Sequence, residues 1–373
     1  MIDPRLKRTP GQIAHSLHHW LDEQENDWPA MTEPLTADFC RRRVASLDAQ
    51  ALQAKLVADL GTPGLRAWQP LGHVLAIVTE EDHLGVVATM VAAALTGNKL
   101  TIKARRHLSA LHRLRDALGW TEEQCRIADW ASTGQDDAAL LKGVHGVLLA
   151  GGADLIRHYR SVTPPGVRLI EYGPRTSAAL VQGWPQDESG QTALVSGLVN
   201  DTVMFAQSVC SSPQWVCVPD DATAEALFNA LTSRLDALPP LSGNARLTQW
   251  RAVQELTLMQ RLEPGIRLAW SARSGWAAIA ASPAHALSLP KGFRVITAAD
   301  ASRGEPEAML QTLGVWPYSM LAESGPSAFH RCPLGHMHER ALVAPHDGEF
   351  ELAKWVHFVS VAPAKANTPS PST

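Results

Sequence analysis

Cysteine is scarce in this chain, and what there is does not pair. The five cysteines, Cys40, Cys125, Cys210, Cys217 and Cys332, lie scattered along 373 residues with no CxxC spacing, which argues against a disulfide framework and for a reduced, cytoplasmic protein. Long apolar runs are missing: none approaches the roughly 18 residues of a membrane span, and the start Met1-Ile2-Asp3-Pro4-Arg5 carries no apolar signal segment. An excess of positive charge is missing too. A formal net charge of −4 argues against a general nucleic-acid binder. There is no Gly-x-Gly-x-x-Gly fingerprint, so a dinucleotide site has to be argued from elsewhere. What remains, 45% hydrophobic and 19% charged residues, is the composition of a soluble globular enzyme, and the length suits two domains better than one core.

Residues 10 to 60 predict a helical layer, with Ile13, Leu17, Trp20 and Leu21 at helical spacing and Thr36 or Asp38 as a cap for the next helix. The Gly- and Pro-rich residues 61 to 71 read as a linker. From residue 72 the period changes to an alternation of short apolar runs with helical segments. The runs are Gly72 to Val78, Leu100 to Ile102, Arg126 to Ala128, Val144 to Leu149 and Val167 to Tyr172. Such alternation predicts a parallel sheet with crossover helices, which binds nucleotides at the carboxyl ends of its strands.

Three features stand at those ends. Lys103-Ala104-Arg105-Arg106-His107 follows the run Leu100 to Ile102; its cations either meet a ribose phosphate or open a solvated helix. Gly151-Gly152 stands at a strand-to-helix junction, where glycine permits close backbone approach to a ligand. Glu171 closes the run Val167 to Tyr172 and is either a general base or a strand-end surface charge. Further on, Ala193 to Val209 reads as helical and leads into Cys210-Ser211-Ser212-Pro213. A thiol at such a break faces a cavity as a nucleophile or is an inert buried group.

Taken in order, Pro70-Leu71-Gly72-His73-Val74, Thr96-Gly97-Asn98 with Ile102-Lys103, Glu171-Tyr172-Gly173-Pro174-Arg175-Thr176-Ser177, Cys210-Ser211-Ser212-Pro213 and Leu310-Gln311-Thr312 resemble the successive motifs of the LuxC-type acyl-CoA reductases. These are the long-chain fatty-acyl reductases of bacterial bioluminescence, within the aldehyde dehydrogenase superfamily. The stretch His330 to Met337 with His346-Asp347-Gly348 is similar to that family's ending. The resemblance spans about residues 70 to 360. It implies an aldehyde dehydrogenase-like α/β fold with a Rossmann-type cofactor domain and an α/β catalytic domain. Expected bounds are 1–60 for the helical layer, 61–180 for the nucleotide-binding domain and 181–330 for the catalytic domain carrying Cys210. Residues 331–362 return toward the first domain, and the polar, proline-rich residues 363–373 form a disordered tail.

By the same resemblance, Cys210 takes the acyl group from a thioester, the backbone N–H groups near Cys210 and Ser211 hold the oxyanion, and Glu171 serves in thiol activation or proton transfer. Lys103, Arg105, Arg106, Gly151 and Gly152 would bind the cofactor. Arg106 stands where some relatives carry an acidic residue that favours NAD, so NADPH is expected. An acyl-CoA or acyl-carrier substrate, an acyl-protein synthetase partner and a homo-oligomer are further expectations by analogy. Glu80 departs from the pattern by standing where the superfamily usually has an asparagine. A non-redox thioester-binding or scaffold homologue is the alternative. A rival constellation, His330, Cys332, His336 and His338, offers zinc ligands but lacks a second knuckle, so no metal is expected.

Overall fold

A computed structural model of the chain describes residues 7–23, 34–61, 67–78, 83–104, 108–129, 134–173, 175–241, 243–263, 265–281, 292–297, 320–322, 330–346 and 349–359. Three helices come first: α1 (Pro10–Glu23), α2 (Pro34–Ala45) and α3 (Ala49–Leu60). The apolar stripe of α1 is buried through Ile13, Leu17 and Trp20, and the Trp20 indole N–H donates to the Ala110 carbonyl at 3.0 Å. The cap of the third helix is Asp48, whose carboxylate accepts from the Ala51 N–H. Thr36 does not cap; it lies inside α2 and its hydroxyl serves a distant turn described below.

The segment 61–71, expected as a linker, contains strand β1 (Ala67–Pro70). It pairs antiparallel with β14 (Val356–Val359), the last strand among the described residues. Nothing local announces such a strand, because its partner enters from the far end of the sequence.

The alternating region forms a five-stranded, all-parallel sheet of β2 (His73–Ile77), β3 (Lys99–Lys103), β4 (Cys125–Ala128), β5 (Gly146–Ala150) and β6 (Arg168–Tyr172), in the order β4-β3-β2-β5-β6. The crossovers are α4 (His83–Thr96), α5 (Leu108–Ala117), α6 (Gly134–Leu141) and α7 (Ala153–Val162). The order reverses between β2 and β5, and a ligand cleft opens beside the carboxyl ends of strands at such a switch point. One core cluster runs from α1 through β2, β3 and α4 to Trp355, and a smaller one fills the other face beneath β5 and α7.

A second sheet holds seven strands in the order β13-β12-β7-β8-β11-β10-β9. These are β7 (Ser177–Leu180), β8 (Pro213–Val218), β9 (Arg267–Trp270), β10 (Ala277–Ala281), β11 (Phe293–Thr297), β12 (Met320–Ala322) and β13 (His330–Cys332). All pairings are parallel except β9 with β10. Helices α8 (Glu188–Val203) and α9 (Asp221–Thr232) contribute to its core, and α10 (Gly243–Leu262) follows. Among the described residues no helix is long and apolar enough to cross a membrane.

Candidate active site

Helix α8 stops at Val203, where Met204 takes an extended ψ of 137°. The expected helical run to Val209 is therefore cut short, and the reason lies in the next three residues. Phe205, Ala206 and Gln207 have φ of 57°, 49° and 56°, a left-handed conformation that disfavours residues bearing a Cβ by about 1–2 kcal/mol each. Surrounding contacts hold this turn. The Phe205 N–H donates to Thr36 Oγ1 at 2.9 Å. The buried Gln207 side chain donates to the Pro213 and Gly292 carbonyls at 2.7 and 3.0 Å and accepts from the Gly292 N–H at 2.7 Å. Gly292 itself is restricted to glycine from its other side: at φ 135° an added Cβ would sit 2.7 Å from the Ala277 carbonyl oxygen.

Cys210 follows this turn and is exposed, whereas the other four cysteines are buried. Burial pushes the Cys125, Cys217 and Cys332 thiols up to about 12, so none of these three supplies thiolate near neutral pH. The turn lies on the seam between the two main cores. Met204 and Phe205 pack with the first sheet and N-terminal helices, while Val203 and Ala206 pack with the second sheet. The Ser177 hydroxyl, at the start of β7, donates to the Cys210 carbonyl at 2.6 Å. Five Cα steps separate Ser177 from Tyr172 at the carboxyl end of β6, on the order of 18 Å of chain at most. Cys210 is thereby tethered near the carboxyl edge of the first sheet.

Ser211 is partly buried, and its hydroxyl lies 2.8 Å from His338 Nδ1. The other ring nitrogen of His338, Nε2, lies 3.0 Å from the Asp201 carbonyl oxygen. A carbonyl only accepts, so Nε2 carries the hydrogen and Nδ1 accepts from Ser211. Burial pushes His338 down to about 4. The Asp201 carboxylate accepts from the Gly335 and Met337 N–H groups at 2.7 and 3.0 Å, and burial raises it to about 6 against those two bonds. The 334–338 segment is thus bolted to α8, and it comes so close that a Cβ at Gly197 would lie 3.1 Å from the Leu334 carbonyl carbon. His338, Asp201, Gln207 and Ser177 were not singled out by sequence as parts of one site. For His338 a signal existed, the unusual density of His and Cys between residues 330 and 338; for Gln207 there was none.

In the stretch 330–338, Cys332 is buried, His336 pairs with Glu339 at 2.8 Å, and His338 lies against Ser211. Among the described residues no three His, Cys, Asp or Glu side chains are grouped to hold an ion.

Glu171 lies near the end of β6, held in a two-pronged pair by Arg160 of α7, whose Nε is 2.6 Å from Oε1 and whose second nitrogen meets Oε2. Beside it Tyr172 stacks on His346, centroids 4.8 Å apart, which brings the C-terminal segment to the same strand end. Thr96-Gly97-Asn98 acts as a joint: the buried Asn98 amide accepts from the Gly72 N–H and donates to Thr96 and to the Trp355 carbonyl.

For a dinucleotide, Lys103 stands at the carboxyl end of β3 with 8% of its surface exposed. Gly152 caps α7 without a side-chain bond to the helix, and a Cβ there would meet no atom within 4 Å. The space over a helix start with uncapped N–H groups suits a pyrophosphate, so these residues fit the group. Arg105, Arg106, Glu80, Leu310-Gln311-Thr312 and the tail 363–373 lie outside the described residues.

A family model described as acyl-CoA reductase (LuxC) matches residues 58–358. No curated protein matches the chain. Among solved structures it is similar to lactaldehyde dehydrogenase from Escherichia coli, with a TM-score of 0.69 at 14% identity over 94% of this chain and 86% of that one. Aldehyde dehydrogenase 21 from Physcomitrella patens, in complex with succinate, gives a TM-score of 0.71 at 13% identity over 98% and 88%. NADP-dependent glyceraldehyde-3-phosphate dehydrogenase from Bacillus halodurans, complexed with NADP, gives 0.60 at 15% over 84% and 78%. The chain has the aldehyde dehydrogenase fold.

Proposed function

The chain belongs to the LuxC acyl-CoA reductase family, a family of oxidoreductases, and from that premise we propose that it reduces an acyl thioester to an aldehyde through a covalent acyl group on Cys210, with NADPH as reductant. The observation that carries this reading is the placement of Cys210: the one exposed cysteine of five, just after a strained turn at the seam of the two cores.

In the first half-reaction the Cys210 thiolate attacks the acyl carbon, a new C–S bond forms, the old one breaks and the donor thiolate leaves. The bonds exchanged are alike, so positioning and thiolate availability control the step. Backbone N–H groups at the turn stabilise the oxyanion, and one such donor is worth about 10²–10³ in rate. Gly151, Gly152, Lys103, Arg105 and Arg106 are assigned to holding a reduced nicotinamide, which when bound would supply hydride to the acyl carbon. Cys210 then leaves as thiolate and the aldehyde is released. Glu171 is assigned to proton transfer at this centre, which requires it to release Arg160. The five-stranded sheet is assigned the cofactor and the seven-stranded sheet the acyl chemistry. The alternative, a thioester-binding homologue without redox activity, differs by a single observable.

The test is intact mass after incubation with a ladder of acyl-CoAs, without and then with nicotinamide. The expected result is an acyl adduct absent from Cys210→Ala and discharged by NADPH with aldehyde formed. An adduct that NADPH leaves in place refutes the reductase reading. A kcat/KM with NADH equal to or above that with NADPH refutes the cofactor assignment.

A further inference from the structure

We infer that His338 is a positioning residue for acyl transfer at Cys210, acting through Ser211. The inference rests on the acyl-enzyme reading above. Its basis is that one imidazole touches both ends of the turn that carries the nucleophile. On the exit side, Nδ1 accepts from the Ser211 hydroxyl at 2.8 Å, one residue after Cys210. On the entry side, the ring packs edge-on against Phe205, the first residue of the left-handed run, with centroids 5.2 Å apart, and against Phe39 at 6.1 Å.

Three consecutive left-handed residues persist only where their surroundings over-determine them. Gln207 and Thr36 hold the entry, and Ser177 holds the Cys210 carbonyl. Within the segment 208–212 the Ser208 and Ser212 N–H groups donate to the Phe205 and Val209 carbonyls, and the bond from Ser211 to His338 adds a side-chain tie from this segment to the C-terminal stretch. His338 in turn is fixed by its Nε2–H on the Asp201 carbonyl, and its backbone by the Asp201 carboxylate and by Asn200, which donates to the Gly335 carbonyl at 2.9 Å. The imidazole remains neutral near pH 7 because burial opposes its charge, so Nδ1 stays an acceptor and the Ser211 hydroxyl stays pointed at it. Only one proton sits between the two groups, and its direction is settled by the carbonyl on the far side of the ring. This gives the His- and Cys-rich stretch 330–338 a role other than metal binding: it carries the C-terminal segment to the nucleophile.

Misplacement of a reacting atom by about 1 Å costs on the order of 10²-fold in rate. The test uses Ser211→Ala, which removes the donor, His338→Phe, which keeps ring packing but accepts nothing, the double variant, and Ser211→Thr, which keeps a hydroxyl. Single-turnover acylation of Cys210 by an acyl-CoA is followed by intact mass without nicotinamide, and alkylation of Cys210 by iodoacetamide is followed in parallel. The expected result is a loss of about tenfold to a hundredfold in the acylation rate of each single variant. Half-saturating acyl-CoA and the alkylation rate should be unchanged, the double variant no slower than the slower single, and Ser211→Thr restored.

Wild-type acylation rates in Ser211→Ala and His338→Phe overturn the assignment, and so do losses that multiply in the double variant, since residues acting through one bond do not add. Should His338→Phe fail to fold, Ser211→Ala against Ser211→Thr decides alone. A wild-type protein that is alkylated but takes no acyl group overturns the acyl-enzyme reading, a result distinct from acylated wild type with unaffected variants.

Discussion

Gln207 gives the sharpest test of why the nucleophile turn has its shape. The side chain is 1% exposed and satisfies three backbone groups, the carbonyls of Pro213 and Gly292 and the Gly292 N–H. In Gln207→Ala the N–H loses its acceptor outright, at about 1–3 kcal/mol, and each carbonyl loses a donor at about 1 kcal/mol, so the expected destabilisation is roughly 3–5 kcal/mol. Gln207→Gly loses the same bonds but also sheds the penalty of a Cβ at φ 56°, about 1–2 kcal/mol. The glycine variant should therefore be more stable than the alanine variant by about 1 kcal/mol, the reverse of the order inside a helix. Urea unfolding followed by tryptophan fluorescence and far-ultraviolet circular dichroism measures both, provided the two probes coincide. An alanine variant within about 1 kcal/mol of wild type, or a glycine variant less stable than alanine, refutes the reasoning. Acylation of Cys210 should fall in both, because neither restores the bonds to Gly292.

Lys55 is buried with its ammonium 3.1 Å from Asp59 and 2.9 Å from Glu351, joining α3 to the C-terminal segment; Lys55→Met leaves two buried carboxylates facing each other and should lose about 3–5 kcal/mol in urea unfolding, a loss under about 1 kcal/mol counting against it. Arg160 is 62% exposed where it holds Glu171, so Arg160→Ala should shift stability by less than about 1 kcal/mol, and a larger shift in the same assay contradicts a surface pair. Burial depresses His338 and His73 to about 4 and His346 to about 3, so the unfolded chain takes up protons below about 6.5 that the native state refuses, and stability is lost as pH falls from there toward the folded values. Asp201, raised to about 6, and Asp59, which burial also raises, act in the opposite direction: their contribution is present below the ordinary 3.8 and is lost as pH rises through the folded values. The three histidines outweigh the two carboxyls, so unfolding free energy at about pH 5 should lie below that at about pH 7, and equal values would remove the buried-histidine account.

What the sequence made legible follows from what neighbouring residues decide. The five parallel strands announce themselves because each is a short buried run bounded by helical spacing, and a helix does follow the first of them, from His83 to Thr96. Strand β1 did not, since Gly and Pro around it read as punctuation and its partner Val356–Val359 is distant in sequence. The same division runs through the site. A cysteine before Ser-Ser-Pro is visible locally, whereas positive φ at Phe205, Ala206 and Gln207 is imposed by Thr36, Gly292 and the ring of His338, each from a different part of the chain. No propensity favours that conformation in Phe, Ala or Gln; long-range bonds override it. The locally legible nucleophile is thus the part of the site that needs least from the rest of the fold, and the turn that aims it needs most. It follows that substitutions near neither the thiol nor the cofactor, at Thr36 in α2 or at Asp201 in α8, reach the chemistry through the turn.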